Sequence, residues 1–208
     1  VAIIGYGPTG VSAANALGAA GVDVIAFERD AAIYPRARAV TVNDWTMRCF
    51  QSVGLHEQLL ADMDVTAGLR WVTYDGQELM HLTFPPTQTG FAAIYQPLME
   101  QTLRDGAARF DSVRVRYGIE VTGVEQDDDG VTISTTDAET GATTTTRVRY
   151  AIAADGGGSR TRQQLGVTLL GDTSPVTWVV IDARVKRWWP ERHILTFWSD
   201  RQRPVVDI

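Results

Sequence analysis

The chain has 208 residues, a formal net charge of −6 and a hydrophobic fraction of 44%. A chain of this length can bury a sizeable core in one large domain or two small ones. Its acidic balance argues against a nucleic-acid surface, and no apolar run approaches the ~20 residues that cross a membrane. No secretion signal is evident, and the single cysteine, Cys49, excludes an internal disulfide and a cysteine-based metal cluster. We therefore expect a cytoplasmic globular protein without a metal site.

The first 30 residues predict a strand–turn–helix–strand unit of the kind that binds dinucleotides. An apolar run from Val1 to Ile4 indicates a buried parallel strand, and a small-residue helical pattern follows it. A second apolar run, Val22 to Phe27, ends in the acidic residue Glu28. Between the first strand and the helix, three glycines have the spacing G-x-G-x-x-G: Gly5, Gly7 and Gly10.

This arrangement has steric and electrostatic reasons. Gly5 allows the tight turn, Gly7 lets a pyrophosphate approach the backbone, and Gly10 lets the helix lie close to the sheet. The helix N-terminus offers free N–H groups and the positive end of its dipole to the phosphates. Glu28 is placed to accept hydrogen bonds from both ribose hydroxyls, and its charge would repel a 2′-phosphate. We therefore expect FAD or NAD in this pocket, and not NADP.

Two arginines, Arg36 and Arg38, lie on a proline-containing loop that follows the second strand. Their guanidinium groups suit phosphate oxygens or the flavin-side edge of a cofactor, and a solvated basic loop is the alternative. Asn43 or Asp44 then caps a helix on which Cys49 is expected to be a buried structural thiol. The predicted inward stripe of that helix is Trp45, Cys49, Phe50 and Val53.

Alternating and helical patterns assign most of the remaining elements. The predicted strands are 69–74 and 78–82 for a hairpin, 113–116 for a third parallel strand, and 120–126, 131–136 and 143–150 for a three-stranded meander. A helix begins near Gln96, with Pro97 at an early position. Its predicted inner face is Leu98, Thr102, Leu103, Ala107 and Phe110.

A second informative stretch, AIAADGGGSRTR, starts at Ala151. A short apolar strand ends in Asp155, and three glycines lead to a helix that starts near Ser159. A carboxylate at the carboxyl end of a strand, beside a helix N-terminus, lies where open α/β sheets bind ligands. Asp155 is therefore a candidate acceptor for a ribityl or ribose hydroxyl. The alternative is a glycine-rich connection that Ser159 caps and that binds no ligand.

The composition changes after Gly171. Alternation from Val176 to Val185 predicts a strand, and a second, antiparallel layer is expected in this part of the chain. Three tryptophans lie close together in the sequence: Trp188, Trp189 and Trp198. They can line a pocket for a planar substrate, pack in a core or form an interface, and the sequence leaves these three readings open.

Four ordered stretches together resemble one protein family. They are VAIIGYGPTG with Glu28-Arg29, then YPRARAV, then IYQPLMEQTLR, then AADGGGSRTR. They resemble the flavin-dependent aromatic hydroxylases of the p-hydroxybenzoate hydroxylase fold, and most closely the branch acting on 3-(3-hydroxyphenyl)propionate and related phenols. In the last stretch, the family pattern D-G-x-x-S-x-x-R is matched in register by Asp155, Gly156, Ser159 and Arg162.

The resemblance implies an α/β fold in which a Rossmann-like parallel sheet with a three-stranded meander binds FAD and is interleaved with a β-rich substrate domain. The implied domains are 1–72 with 94–170 for FAD, and 73–93 with 171–208 for the start of the substrate sheet. The implied reaction uses NAD(P)H as a transient reductant and O2, and it hydroxylates a small phenolic substrate through a flavin hydroperoxide. The sequence leaves a homo-oligomer open.

The resemblance also implies cofactor contacts. Glu28 would hold the adenosine ribose, Arg36 or Arg38 with Gln96 would contact the pyrophosphate–ribityl region, and Asp155 would lie near the pyrophosphate in a motif also linked to NAD(P)H use. The full implied set is Gly5, Gly7, Pro8, Thr9, Gly10, Glu28, Arg29, Arg36, Arg38, Gln96, Asp155 and Gly156.

The sequence departs from the family at its end. The later Gly-Asp motif and the remaining substrate strands are absent, so no catalytic residue is assigned. The chain starts on a strand without an initiator Met and stops in the strand-like RPVVDI, and we expect it to be part of a longer protein. An NAD-dependent dehydrogenase and a non-catalytic dinucleotide-binding module are the alternatives, although the meander and the Asp155 motif count against the dehydrogenase.

Overall fold

The computed structural model of the chain describes residues 1–36, 38–85, 91–181, 183 and 191–208. The helices of these described ranges are α1 (Pro8–Ala19), α2 (Asp44–Ser52), α3 (His56–Leu60), α4 (Gln96–Ala107) and α5 (Arg160–Gln164). Their strands are β1 (Ala2–Ile4), β2 (Val24–Glu28), β3 (Thr41–Val42), β4 (Asp64–Val65), β5 (Gly68–Thr73), β6 (Glu78–Thr83), β7 (Ala92–Ala93), β8 (Val113–Tyr117), β9 (Ile119–Asp127), β10 (Gly130–Asp137), β11 (Thr143–Val148), β12 (Ala151–Ala153), β13 (Ile194–Ser199) and β14 (Val205–Asp207). The predicted α/β class is confirmed.

The chain divides into two compact units. The first unit comprises Val1–Pro35 with Glu100–Pro175, and the second comprises Arg36–Met99 with Val176–Ile208. Strand β5 pairs with β6 and β13 inside the second unit, so the described part of 36–72 groups with the later strands. The boundaries of these units differ from those of the predicted domains, which are 1–72 with 94–170 and 73–93 with 171–208. The predicted domains stay a prediction.

A four-stranded parallel sheet forms the centre of the first unit, in the order β12-β1-β2-β8. All three residues of β1 are buried, as expected for a strand covered on both faces. The predicted third parallel strand is confirmed as β8, which pairs with β2 from Val113 to Tyr117. All four strands are parallel, so the loops that follow β1, β2 and β12 leave the sheet from the same edge.

The predicted three-stranded meander is also confirmed, in the order β11-β10-β9. Its inner face packs against the parallel sheet, because Ile133 and Ile119 are buried in one cluster with Ala2, Ile4 and Phe27. The fully buried Ile133 side chain lies in the middle strand of the meander. The meander therefore covers an apolar face that the sheet would otherwise expose to water.

Helix α1 lies close to its neighbours through small residues. A Cβ on Gly18 would come within 2.5 Å of the Phe110 ring. The buried side-chain amide of Asn15 donates to the carbonyl oxygens of Val11 and Leu103, at 2.9 and 2.8 Å. This side chain joins α1 to the part of α4 that belongs to the first unit.

The second unit contains a four-stranded sheet in the order β14-β13-β5-β6. The predicted hairpin is confirmed as β5 and β6, which pair antiparallel. The expectation of an antiparallel layer is wrong for one pair, because β13 lies parallel to β5. Trp71 and Phe197, opposite each other in that pair, stack with ring centroids 4.7 Å apart. The third sheet of short strands has the order β3-β7-β4.

Two predicted helix faces need correction. Asn43 caps α2 by accepting from the N–H of Thr46, but Trp45 is 70% exposed and Cys49 is exposed, so the thiol is not buried. The buried side chains of α2 are Met47 and Phe50, which share one face at i,i+3 spacing. In α4, Leu98 is likewise exposed, and the buried apolar positions are Met99, Leu103 and Ala107.

The predicted strand from Val176 to Val185 is wrong over its described part. Residues 176–181 form no strand, and their large apolar side chains are exposed. Residues 182 and 184–185 of that prediction, together with Trp188 and Trp189, lie outside the described residues. The third tryptophan, Trp198, lies in β13 and donates its ring N–H to Asp207 at 2.7 Å. Among the described residues, no helix is long and apolar enough to cross a bilayer.

Candidate functional site

The glycine-rich turn follows β1 at the edge of the parallel sheet where β2 and β12 also end. Gly5 has φ +89°, a conformation that favours glycine. A Cβ at Gly5 would also lie 2.5 Å from the carbonyl oxygen of Ala154, at the end of β12. Gly10 is equally constrained, because a Cβ there would lie 2.0 Å from the carbonyl oxygen of Gly5. The first and third glycines of the motif therefore serve the fold of the turn.

Gly7 differs from its two neighbours in the motif. Its φ of −74° is open to any residue, and a Cβ at this position would meet no atom within 4 Å. The turn therefore leaves open space at Gly7, at the N-cap of α1. Pro8 and Thr9 form the first helical turn, where proline is well tolerated because the first N–H groups have no partner within the helix. This is the arrangement that lets an anionic group approach the backbone and the helix dipole.

Glu28 ends β2 beside the turn. One carboxylate oxygen accepts the N–H of Tyr6 at 2.6 Å, and the other accepts the N–H of Asp30 at 3.0 Å. Each carboxylate oxygen can accept more than one hydrogen bond, so these contacts orient the group and leave acceptor capacity for hydroxyls. The neighbouring Arg29 is exposed and lies 3.8 Å from Asp30.

Asp155 follows β12 at the same sheet edge, next to the Gly5 turn. Its carboxylate accepts the Ser159 hydroxyl at 2.6 Å and the N–H of Thr161 at 3.0 Å. Burial acts to raise the pKa of Asp155, but these hydrogen bonds outweigh it and hold the pKa below its ordinary value. Ser159 caps α5, as the ligand-free alternative expected, since its hydroxyl oxygen accepts the N–H of Arg162.

The glycine loop between Asp155 and α5 is tied by its own contacts. Gly156 has φ +82°, and the Arg162 guanidinium donates to the carbonyl oxygen of Gly157 at 2.9 Å. No atom lies within 4 Å of a Cβ built on any of the three loop glycines. The loop therefore presents open backbone beside Asp155, and it is held in a defined conformation.

Three further candidate residues belong to the second unit. Gln96, which is 7% exposed, accepts the N–H groups of Arg38 and Ala39 through one side-chain oxygen, at 3.0 and 2.8 Å. This buried amide fixes the backbone of the loop that carries Arg38. The side chains of Arg36 and Arg38 are exposed. The structure thus brings Gln96 and the Arg38 loop together.

Sequence reasoning missed a buried polar cluster next to the glycine turn. Tyr6, the residue between Gly5 and Gly7, is 1% exposed and packs edge-to-face against Tyr117. The Arg104 guanidinium lies 5.6 and 5.1 Å from the centres of the Tyr6 and Tyr117 rings and forms a 2.7 Å ion pair with Glu100. The i,i+4 spacing of Glu100 and Arg104 was a visible signal, although such pairs usually lie on solvated faces.

These features fit a dinucleotide. The open backbone at Gly7 has the room that a pyrophosphate needs, and Glu28 has the position after the motif that is typical of a ribose-binding carboxylate. Within the ranges that the structure describes, no group of three or more His, Cys, Asp or Glu residues is placed to hold a metal ion.

Comparisons with known proteins agree with this geometry. A protein family described as "FAD binding domain" matches residues 1–206. The chain is 40% identical over 190 residues to a protein of Burkholderia cenocepacia (strain HI2424) named 3-(3-hydroxy-phenyl)propionate/3-hydroxycinnamic acid hydroxylase, covering 90% of this chain and 35% of that protein. It is 36% identical over 211 residues to a protein of Rhodococcus jostii (strain RHA1) named probable NADH-specific resorcinol 4-hydroxylase, covering 99% of this chain and 40% of that protein.

A solved structure is also similar. The flavin-dependent monooxygenase PieE, in complex with FAD and substrate, is 30% identical with a TM-score of 0.73, over 82% of this chain and 32% of that chain. The chain therefore spans about a third of the length of the proteins it matches. These matches confirm the resemblance indicated by the four motifs.

Proposed function

Because the chain belongs to the FAD-binding domain family, we propose that the whole protein is an FAD-dependent monooxygenase that hydroxylates a phenolic aromatic substrate with NAD(P)H and O2. The observation that carries this proposal is the Gly5–Gly7–Gly10 turn joined to Glu28, which has the open backbone and the carboxylate that the FAD pyrophosphate and ribose require. The names of the relatives supply the reaction class, since they are hydroxylases of phenols.

Each candidate residue of the first unit has a role in this proposal. The turn and the start of α1, through Gly5, Gly7, Pro8, Thr9 and Gly10, receive the pyrophosphate on backbone N–H groups and the helix dipole. Glu28 accepts the ribose hydroxyls, and Arg29 lies beside the adenosine. Asp155 and Gly156 bound the pyrophosphate region from the end of β12. The hydrogen bonds that lower the pKa of Asp155 favour its ionised form.

The resemblance also assigns two residues of the second unit, Arg36 and Arg38, to the pyrophosphate–ribityl region, since guanidinium groups suit phosphate oxygens. Within that unit, the buried oxygen of Gln96 holds the backbone of the loop. FAD, when bound, supplies the redox chemistry that joins the reductant to O2. The residues of this chain bind and orient the cofactor, and the groups that activate the phenol are not assigned among them.

The finer parts of the proposal rest on the relatives. The substrate is a small phenol similar to 3-(3-hydroxyphenyl)propionate, because a relative named as a hydroxylase of that compound is 40% identical to this chain. NADH is a reasonable first reductant to try, because the resorcinol hydroxylase is named NADH-specific. The single cysteine and the acidic composition suit a cytoplasmic protein.

The direct test compares this chain with a version extended to the length of its relatives. FAD and NAD are titrated into each, and NADH and NADPH oxidation is measured with and without 3-(3-hydroxyphenyl)propionate and resorcinol. We expect FAD to bind and a phenol to stimulate oxidation of the reductant by the longer version.

Two outcomes would contradict the proposal. Binding of NAD in place of FAD would favour the dehydrogenase alternative. If the longer version binds FAD but oxidises neither reductant with any of the phenols, the result would favour a non-catalytic binding module. A matched control is Cys49→Ser, which lies on the exposed face of α2 and should leave both titrations unchanged.

A further inference from the structure

The buried cluster around Arg104 has no place in the proposed cofactor contacts. Its four side chains come from the glycine turn, α4 and β8: Tyr6, Glu100, Arg104 and Tyr117. The side chains of Arg104 and Glu100 are 11% and 4% exposed, so their ion pair is withdrawn from solvent. Burial raises the pKa of the Tyr6 phenol further above physiological pH, where the phenol is neutral.

The cluster holds one peptide group of the glycine turn. The Arg104 guanidinium donates to the carbonyl oxygen of Tyr6 at 3.3 Å, while the N–H of Tyr6 donates to Glu28 at 2.6 Å. The backbone of Tyr6 is thus held at its N–H by Glu28, which we propose binds the ribose, and at its carbonyl oxygen by Arg104. Its ring is held as well, because it packs on Tyr117 and faces the same guanidinium.

The carbonyl of Tyr6 determines where the next N–H points. The peptide bond between Tyr6 and Gly7 is trans, since the described residues contain no cis peptide. In a trans peptide the C=O and the following N–H point in opposite directions. A guanidinium that holds the Tyr6 carbonyl therefore turns the Gly7 N–H to the opposite side, at the glycine whose Cβ position is open.

We propose that Arg104 is a positioning residue for the dinucleotide site, which orients the Tyr6–Gly7 peptide so that an N–H and not a carbonyl oxygen faces the pyrophosphate. This inference rests on the proposed function for the identity of the ligand. Without the guanidinium, the peptide is free to rotate, and a carbonyl oxygen turned to the other side would repel the phosphates. Glu100 contributes by fixing the guanidinium, and the two aromatic rings prevent it from swinging away.

The choice of variant must separate positioning from stability. Arg104→Met alone leaves the buried Glu100 carboxylate without this partner, which is strongly destabilising. The double variant Glu100→Gln with Arg104→Met removes both charges and keeps the side-chain volume, and replacements of this kind are often tolerated. The matched control is Arg109→Met, because Arg109 also donates to a carbonyl oxygen, that of Gly106, and lies over the ring of Phe110.

Two measurements test the proposal on the 208-residue chain. The first, which needs no ligand, is the nuclear Overhauser effect between the Tyr6 α-proton and the Gly7 amide proton, which reports the rotation of the peptide. The second is the affinity for FAD, for ADP, which carries the pyrophosphate, and for adenosine, which lacks it. For the double variant we expect a changed nuclear Overhauser effect between these two protons, about tenfold weaker binding of FAD and ADP, and unchanged binding of adenosine.

Each result decides between the readings. An unchanged nuclear Overhauser effect together with an unchanged affinity for ADP would overturn the proposal. An equal loss of affinity for ADP and for adenosine would also overturn it, because it indicates a general loss of structure. If the unsubstituted chain does not bind FAD or ADP but the variant still alters the Gly7 signal, the orienting role of Arg104 stands and the proposed cofactor is wrong. Arg109→Met is expected to match the unsubstituted chain in both measurements.

Discussion

At the scale of single residues, the three motif glycines have different physical roles. Gly5 and Gly10 are required by the fold, because a side chain at either would overlap backbone oxygen atoms at 2.5 and 2.0 Å. Gly7 is free of such contacts, so we propose that its lack of a side chain serves the binding of the pyrophosphate. The spacing of the motif predicts all three glycines, but the neighbours that distinguish them come from β1, β12 and the turn itself.

The Gly7→Ala variant tests this difference. Its φ of −74° suits alanine, so we expect the free energy of unfolding to stay within ~0.5 kcal/mol of the unsubstituted value. The added methyl group occupies the space into which we propose that the pyrophosphate fits, so FAD affinity should fall at least about tenfold. Denaturant titration and flavin fluorescence measure the two quantities. Gly10→Ala is the contrasting variant and should lose stability; a Gly7→Ala protein with full FAD affinity would contradict the assignment.

At the scale of elements, periodicity predicted the strands well and the helix faces less well. The meander and the parallel strands follow from alternation and from apolar runs between turn residues. The inward face of α2 was wrong because Trp45 and Cys49 are apolar residues that lie on its outer side, whereas Met47 and Phe50 are buried. A short helix with apolar residues on several sides does not itself indicate which side meets the core.

The start of α5 supports a pH-dependent prediction. Asp155 accepts from Ser159 and Thr161, and its pKa in the folded protein lies below the ordinary value of 3.8. A carboxylate with a lowered pKa stabilises the fold above that ordinary value, and the contribution is lost as the pH falls through the lowered pKa. We expect Asp155→Asn to cost about 1 kcal/mol at pH 7, as for loss of a helix cap.

The measurement is the free energy of unfolding of both proteins from pH 7 down to pH 3. The difference between them should shrink as the pH falls below about 4. An equal difference at pH 3 and pH 7 would show that the ionised form of Asp155 has no stabilising role. Asp128, on the turn between β9 and β10, supplies the control Asp128→Asn, which should show no comparable change.

At the scale of the whole molecule, one apolar segment, residues 176–181, is exposed to solvent although its side chains favour burial. Residues 176–181 are apolar except for Thr177, yet they form no strand, and Val179 and Ile181 are each 80% exposed. Exposed apolar groups of this size usually mark a surface that another part of a protein covers. The relatives extend well beyond this chain, which covers 35% of the first and 40% of the second, so they contain further residues able to serve as that cover.

Hydrogen exchange can test this explanation. Amides of residues 177–181 should exchange rapidly in the 208-residue chain, because these residues lie in no helix or strand, and slowly in a version extended to the length of the relatives. Amides of β1, buried in the parallel sheet, serve as the internal standard and should be slow in both proteins. Rapid exchange of residues 177–181 in both proteins would mean that this segment forms no strand in either version.

The sequence by itself determined the α/β class, the motifs that follow the parallel strands, and the family. It could do so because turn geometry and burial impose local patterns: glycines in the turns, apolar residues in the strands and an acidic residue at a strand end. It also placed Glu28 and Asp155 at strand ends, where ligands bind. Only the tertiary structure decided the parallel pairing of β13 with β5, the exposed position of Cys49 and the cluster of Tyr6 with Arg104 and Tyr117. The strand pairing and the cluster depend on contacts between segments about 100 residues apart or more, and such contacts leave no periodic signal in the chain.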